Sequence, residues 1–223
     1  MKSMPIVLPT LLLLVLKASG LSAFGQFDPG ADGLASHWSR LPVEVIVDGG
    51  TLFGGNEGLR MVQEAAEIWN GVTGVPRLFS VSEQADSIDY RLDNMDVWNV
   101  LDRRVRVVFD EGGEVLLNSG IDPDSRVLGI ADTIADSTGA ALQGVVIING
   151  HPTVSDFPDT VAVVVHELGH ILGLTHTPIG FGGLEPVSRA NRPTMYPFTE
   201  SRNMDTLEAD DIAGVRSIYG QGR

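Results

Sequence analysis

The segment HELGHILGLTH, residues 166–176, constrains the fold of this chain more than any other stretch of its sequence. It contains three of the five histidines in the chain, together with one glutamate and two glycines. On an α-helix, residues at positions i and i+4 lie one above the other on the same face. A helix here would therefore direct the imidazoles of His166 and His170 toward one point, and the fold has to provide such a helix.

The residues just before this segment leave two structures open. VAVVV, residues 161–165, contains four valines in five positions, and read alone it is typical of a strand because valine has a low helix propensity. We predict a helix, since burial can override a local preference and the two histidines must share a face. Asp159 or Thr160 can cap its N-terminus. Gly173 can end it with a left-handed residue that turns the chain.

The spacing of the polar residues predicts a catalytic zinc site. His176 follows the glycine turn and can complete a set of three ligands with His166 and His170, and three protein ligands with a fourth position left free are typical of catalytic zinc. Glu167, one step around the helix, can act on a water there as general base and then as general acid. The alternatives are a chance match and an inactive relative that keeps the scaffold, but the extended HExxHxxGxxH pattern is far more specific than HExxH alone.

The chain resembles the metzincin zinc endopeptidases, whose signature it matches at His166, Glu167, His170, Gly173 and His176. That clan has a methionine turn beneath the zinc ligands, and PTMYP, residues 193–197, resembles it with Met195 as the turn methionine. Two features are similar to matrixins within the clan, namely Thr177 after the third histidine and Tyr196-Pro197 after the methionine. The paired aspartates Asp210 and Asp211 resemble a structural pair in the last helix of matrixins.

The resemblance implies an α+β fold, with a twisted, mostly parallel five-stranded sheet, three helices, the active-site helix and the methionine turn. It implies that VLGIADT, residues 127–133, is the edge strand along which an extended protein or peptide substrate binds. Gly129 and Ala131 on this strand, with Tyr196 and Pro197, are then expected to line the substrate cleft. Met195 is expected to shape the floor of the site.

The remaining patterns predict further elements of this domain. Apolar residues recur at helical spacing from Asn56 to near Gly74, which predicts a helix. Strands are predicted where β-branched residues cluster, at Pro42–Asp48, Val105–Phe109 and Gly144–Asn149. A last helix is predicted from about Leu207 to Tyr219.

The chain departs from the matrixins of animals in several ways. It has no cysteine, so a pro-segment cysteine cannot hold it latent, and it has no histidine between residues 38 and 150, so their second, structural zinc is not expected. Residues 177–194 look like an insertion at the rim of the cleft or a plain surface loop. The turns Asp28–Asp32 and Asp122–Ser125 could bind calcium, although aspartate, proline and glycine are equally typical of tight turns.

The N-terminus predicts export. Lys2, the apolar run Pro5–Leu16 and the small residues before Gly25 resemble a signal peptide over residues 1–25, although an uncleaved anchor is the alternative. The run is shorter than the roughly 20 residues that span a bilayer, so no stable membrane insertion is expected after cleavage. Residues 26–37 would form an N-terminal arm and residues 38–223 one catalytic domain. The net charge of −14 argues against a nucleic-acid partner.

These features predict a secreted, extracellular and monomeric zinc-dependent endopeptidase with one catalytic zinc, and the acidic turns are candidate calcium sites. The main alternative is a non-catalytic secreted binding protein on the same scaffold, which the loss of Glu167 or of a histidine would have favoured. A membrane-embedded metalloprotease would need long hydrophobic spans around the HExxH helix, and residues 161–165 are too short for one.

Overall fold

The computed structural model describes residues 25–26, 36–48, 57–82, 88–90, 97, 102–125, 127–150, 160–177, 192–197 and 206–220. Most of the predicted signal peptide and arm lie outside these residues, as do the Asp28–Asp32 turn and most of the predicted insertion. Among the described helices, none has the length and apolar character needed to cross a membrane.

Five strands form the main sheet, in the order β3-β2-β4-β6-β5. They are β2 (Val43–Val47), β3 (Phe79–Val81), β4 (Val105–Asp110), β5 (Gly129–Ala135) and β6 (Ala141–Asn149). The neighbours from β3 to β6 run parallel, whereas β5 runs antiparallel to β6 at the edge. The predicted α+β fold with a mostly parallel five-stranded sheet is therefore confirmed, and the VLGIADT segment supplies the edge strand.

Three long helices occur as predicted, and shorter elements were not foreseen. The helices are α1 (Glu57–Asn70), α2 (Glu114–Asn118), α3 (Thr160–Ile171) and α4 (Ala209–Tyr219). Only the five-residue α2 was not predicted, along with a 3-10 turn over Pro123–Ser125. Two short strands, β1 (Gly25–Gln26) and β7 (Leu174–Thr175), pair antiparallel away from the main sheet.

The main core lies between one face of the sheet and the helices α1 and α3. Helix α1 contributes a stripe of buried residues at helical spacing, Leu59, Val62, Ala65, Ala66 and Trp69. The indole Nε1–H of Trp69 donates to the Val165 carbonyl of α3 at 2.8 Å. This bond fixes α1 against the active-site helix at the residue before His166.

Helix α3 forms in spite of its valines. Every residue from 162 to 169 is buried, so the helix is apolar around most of its circumference. Burying a valine or leucine side chain contributes about 1.5–3 kcal/mol. The lower helix propensity of valine costs less than about 0.7 kcal/mol per residue, so burial decides the structure.

The second face of the sheet carries a smaller apolar cluster. Val115 and Leu116 of α2 pack there against Val108 and Ile147. The fully buried Asp110, at the end of β4, accepts the backbone N–H of Leu116 through Oδ2 at 2.8 Å. Burial raises the pKa of Asp110, and the hydrogen bonds from α2 partly offset that effect.

Several element boundaries differ from the predicted ones. Helix α1 ends at Asn70 rather than near Gly74. The Asn70 Oδ1 accepts the backbone N–H groups of Leu78 and Phe79, both at 2.9 Å. These bonds draw the chain back toward β3. Strand β5 begins two residues later than predicted. Strand β6 begins at Ala141, three residues before the predicted start.

Candidate metal centre and active site

The three histidines of the opening segment come from two adjoining elements. His166 and His170 lie on α3, where His166 is buried and His170 is half-buried. His176 is exposed and follows β7, after the turn at Gly173. Gly173 has φ 91°, a left-handed conformation that glycine adopts readily, and its N–H donates to the His170 carbonyl at 2.9 Å. The predicted helix end is therefore present.

The imidazoles converge through their Nε2 atoms. The Nε2 of His176 lies 3.2 Å from that of His166 and 3.3 Å from that of His170. Two nitrogen ligands bound at about 2.0–2.1 Å to a tetrahedral zinc are about 3.3–3.4 Å apart. The donor chemistry therefore suits zinc, two of the three nitrogen pairs have the spacing of zinc ligands, and all three nitrogens lie within 4.8 Å of one another. Among the described residues, this is the only group of three or more His, Asp, Glu or Cys side chains able to hold a metal ion.

The other ring nitrogens fix the orientation of two imidazoles. The Nδ1 of His166 lies 2.6 Å from the Thr194 carbonyl oxygen, and the Nδ1 of His170 lies 2.8 Å from that of Leu174. A carbonyl oxygen can only accept, so each Nδ1 carries the proton and donates. The lone pair is then left on Nε2, where a metal needs it, as in metal sites whose histidines are oriented by a carbonyl.

The surroundings also favour uncharged imidazoles. Burial, with the neighbouring histidines, lowers the pKa of His166 to about 3. Burial lowers the pKa of His170 to about 4, and it lowers the pKa of His176 as well. A metal ligand has to be deprotonated. The surroundings therefore favour the neutral, ligand-competent form of all three imidazoles.

Glu167 follows His166 on α3, and its side chain is almost completely buried. It is 5% exposed, and burial raises the pKa of its carboxyl group to about 8. Its side chain packs against the edge strand, since a Cβ built on Gly129 would lie 2.9 Å from Oε1. The structure thus brings the predicted cleft residue Gly129 against Glu167. Ala131, two residues further along β5, is half-buried and packs against the main core.

The methionine turn lies directly beneath α3. Met195 is 1% exposed, and a Cβ built on Gly169 would lie only 2.3 Å from its sulfur. The N–H of Thr177 donates to the Met195 carbonyl at 2.8 Å, which joins the residue after His176 to the turn. Met195 thus forms part of the buried support under the histidines.

The paired aspartates connect α4 to this support. Asp211 accepts the backbone N–H of Thr194 at 2.8 Å and that of Met195 at 3.0 Å, and it also accepts the N–H of Glu208 at 2.9 Å. Asp210 accepts the hydroxyl of Thr177 at 3.1 Å. Both carboxylates therefore have the structural contacts expected of them.

Comparison with known proteins identifies the family. The family model described as Matrixin matches residues 60–220. The chain belongs to the matrixin family. That match includes the three histidines, Glu167, Met195 and both aspartates.

Three relatives match this matrixin over different lengths. Metalloendoproteinase 1 of Glycine max is 33% identical over 113 residues, which are 50% of this chain and 31% of the relative. Metalloendoproteinase 4-MMP of Arabidopsis thaliana is 39% identical over 62 residues, 28% of this chain and 15% of the relative. Matrix metalloproteinase-C of Caenorhabditis elegans is 27% identical over 175 residues, 73% of this chain and 25% of the relative. The chain thus spans less than a third of each relative.

Tyr196, Pro197 and the Asp122–Ser125 turn are the remaining predicted site residues of this matrixin. Tyr196 and Pro197 are half-buried after Met195, and the Arg192 guanidinium lies over the Tyr196 ring, 4.5 Å from its centre. The Asp122–Ser125 segment is a tight turn, in which the Asp122 carboxylate accepts the N–H of Asp124 at 3.0 Å. Calcium binding at this turn stays a prediction.

Some of the groups that support the site have no signal in the amino-acid sequence. The Thr194 and Leu174 oxygens that orient the histidines belong to the backbone, which has the same chemistry in every residue. The contact of Gly169 with Met195 also depends on how closely two elements pack. The position of Gly169 inside the HExxH helix is the one sequence feature that indicates this contact, because glycine is unfavourable inside helices.

Proposed function

We propose that this matrixin is a secreted zinc-dependent endopeptidase, which hydrolyses internal peptide bonds of extended protein or peptide substrates. The convergence of three imidazole nitrogens, with the Glu167 carboxyl packed against Gly129 of the edge strand, is the observation that carries this proposal. The metalloendoproteinase names of the plant relatives agree with it. The alternative is a non-catalytic secreted binding protein on the same scaffold.

His166, His170 and His176 would hold the zinc. When bound, zinc supplies a Lewis acid that polarises a carbonyl group and lowers the pKa of a water molecule to about 7. The Thr194 and Leu174 carbonyls orient the lone pairs of His166 and His170, so little reorganisation of these two side chains is needed for binding. Met195 supports them from below.

Glu167 would move the protons. As general base it takes a proton from the attacking water, and as general acid it returns that proton to the leaving amine. A carboxyl group whose pKa is raised toward neutrality suits both steps, because it can hold and release a proton near the working pH. Its packing against Gly129 places it next to the strand where substrate would bind.

The substrate would add a strand to β5. This strand has a partner on one side only within the main sheet, so its other edge can pair with an extended peptide backbone. Gly129 and Ala131 would line the cleft from the sheet, and Tyr196 and Pro197 from the methionine turn. Backbone pairing of this kind selects extended chains, while pockets between the two walls select side chains.

The location and assembly of the protein also belong to this proposal. Export by a signal peptide over residues 1–25 would deliver a monomeric domain that stays outside the membrane and binds no nucleic acid. Bound calcium is a further prediction for the acidic turns. Measuring the N-terminal residue of the exported protein would test the cleavage site.

Replacing Glu167 with alanine tests the mechanism. The Glu167→Ala variant should still bind one zinc per chain, because the three histidines are unchanged. Its kcat on a mixed peptide library should fall by about 10²–10⁴-fold, the usual contribution of a general acid–base group. The unmodified chain should cleave internal bonds, and a zinc chelator should stop the cleavage.

A matched control separates this result from a general loss of negative charge. Glu64 is an exposed glutamate on α1, and Glu64→Ala should leave both zinc content and kcat unchanged. Zinc binding without any cleavage by the unmodified chain would favour the binding-protein alternative. Full activity of Glu167→Ala would rule out the proposed proton transfer.

A further inference from the structure

The segment that joins His170 to His176 contains the C-terminal end of α3, which is buried. The last carbonyls of an α-helix have no partner within the helix and have to be satisfied from elsewhere. At the end of α3, the Trp38 indole Nε1–H donates to the Ile171 carbonyl at 2.8 Å. The hydroxyl of Tyr219 donates to the next carbonyl, that of Leu172, at 3.1 Å.

These two aromatic residues also contact each other. The backbone N–H of Trp38 donates to the Tyr219 hydroxyl oxygen at 3.2 Å. Both side chains are buried, with 7% of Trp38 and 9% of Tyr219 exposed. Burial raises the pKa of the Tyr219 hydroxyl, so this group stays protonated and can donate. Trp38, Tyr219 and the two carbonyls therefore form one connected set of hydrogen bonds, which we call the α3 clamp.

The chain preceding Trp38 rests on the same segment. A Cβ built on Gly173 would lie 2.1 Å from the Ser36 carbonyl oxygen, so the backbones are in close contact at the turn. Further toward the N-terminus, Gln26, which would remain after removal of residues 1–25, pairs with Leu174, two residues before His176. The N-terminal part of the chain and the end of α4 therefore hold this segment together.

The position of this segment affects two histidines at once. His176 is at its end, and the Leu174 carbonyl that orients the His170 ring lies within it. A shift of the segment would displace the third Nε2 atom and rotate the second imidazole. Partners outside the ligand set commonly change metal affinity by about 10–100-fold when they are mutated, because they orient the ligands.

We propose that Trp38 and Tyr219 are positioning residues for the metal centre, and that the α3 clamp sets its zinc affinity by holding the segment from His170 to His176 in place. This inference rests on the proposed zinc site. Neither residue is a metal ligand or is placed in the cleft, so their effect would pass through the backbone of α3 and its turn.

The test uses Trp38→Phe and Tyr219→Phe in the full chain. Each substitution keeps an aromatic ring and removes one donor, and Tyr219→Phe also removes the acceptor of the Trp38 N–H. We expect each variant to raise the zinc dissociation constant by about 3–10-fold, less than a direct partner of a ligand would. We also expect the visible absorption bands of the Co²⁺-loaded protein to shift, since they report ligand geometry. Zinc affinity is measured by competition with a chelating dye, at a temperature where each variant is folded.

Asn70→Ala serves as the control for general destabilisation. Asn70 also bonds to backbone groups, but at the β3 side of the sheet, so its loss should lower the thermal midpoint and leave zinc affinity and the Co²⁺ spectrum unchanged. The inference is overturned if the two phenylalanine variants behave as this control does. If Trp38→Phe does not fold, Tyr219→Phe decides the outcome alone.

A further variant separates this inference from the proposed zinc site. His176→Ala removes a predicted ligand and should weaken zinc binding far more than either phenylalanine variant does. If the unmodified chain binds no zinc, or if His176→Ala binds it unchanged, the zinc site itself is wrong and the inference fails with it. If His176→Ala loses zinc while Tyr219→Phe keeps full affinity, only the inference fails.

Discussion

At the scale of single residues, close contacts decide which side chains the site tolerates. Gly169 lies inside the HExxH helix, where alanine would favour the helix by about 1 kcal/mol. A Cβ at this position would nevertheless lie 2.3 Å from the Met195 sulfur and 2.9 Å from the Trp69 ring. Contacts this short require side chains or backbone to shift, so packing outweighs helix propensity here.

We therefore expect Gly169→Ala to lower the free energy of unfolding by about 1–3 kcal/mol, the usual cost of overpacking a core. Chemical denaturation of the metal-free protein would measure the change. A double-mutant cycle with Met195→Ala tests the cause, because removing the methionine makes room for the added methyl group. The combined loss should then be smaller than the sum of the two single losses, whereas additive losses would contradict the steric explanation.

At the scale of secondary-structure elements, sequence predicted the parts whose pattern is local. The i, i+4 histidines and Gly173 placed α3 correctly because helix geometry and a left-handed turn depend on neighbouring residues. Strand β3 and helix α2 were missed, since three and five residues are too few to show a period. The α3 clamp was also missed, because Trp38 and Tyr219 are 181 positions apart and meet only in the fold.

Asp211 joins two elements, and it offers a test at this scale. Its Oδ2 accepts two backbone N–H groups and its Oδ1 accepts a third, which connects the start of α4 to the methionine turn. Asparagine would keep one acceptor and replace the other with an NH₂ group. We expect Asp211→Asn to lower the free energy of unfolding by about 2–4 kcal/mol, since hydrogen bonds to charged groups contribute about 1.5–3 kcal/mol each.

The neighbouring aspartate supplies the comparison for this prediction. Asp210→Asn keeps an oxygen able to accept the Thr177 hydroxyl, so its effect on thermal unfolding should be clearly smaller. Equal losses for Asp210→Asn and Asp211→Asn would show that the backbone contacts of Asp211 are not what stabilises the turn.

At the scale of the whole molecule, the metal site makes stability depend on pH. The folded state keeps His166 and His170 neutral, with pKa values lowered from 6.5 to about 3 and about 4. Between these values and 6.5, the unfolded chain binds more protons than the folded one. Acid therefore favours unfolding over this range. Glu167, Asp110 and Asp211 act in the opposite direction, because a raised carboxyl pKa favours the folded state as pH falls.

For the metal-free protein, we thus expect the contribution of the histidines to stability to be complete above about pH 6.5 and to decline down to about pH 3. Urea denaturation at a series of pH values would measure this decline. His166→Leu removes the most strongly shifted imidazole and should reduce this decline, and the difference between variant and parent cancels the opposing effect of the carboxyl groups. His37→Gln, outside the cluster, should keep the full decline. An unchanged pH dependence in His166→Leu would mean that the buried histidines do not control acid unfolding.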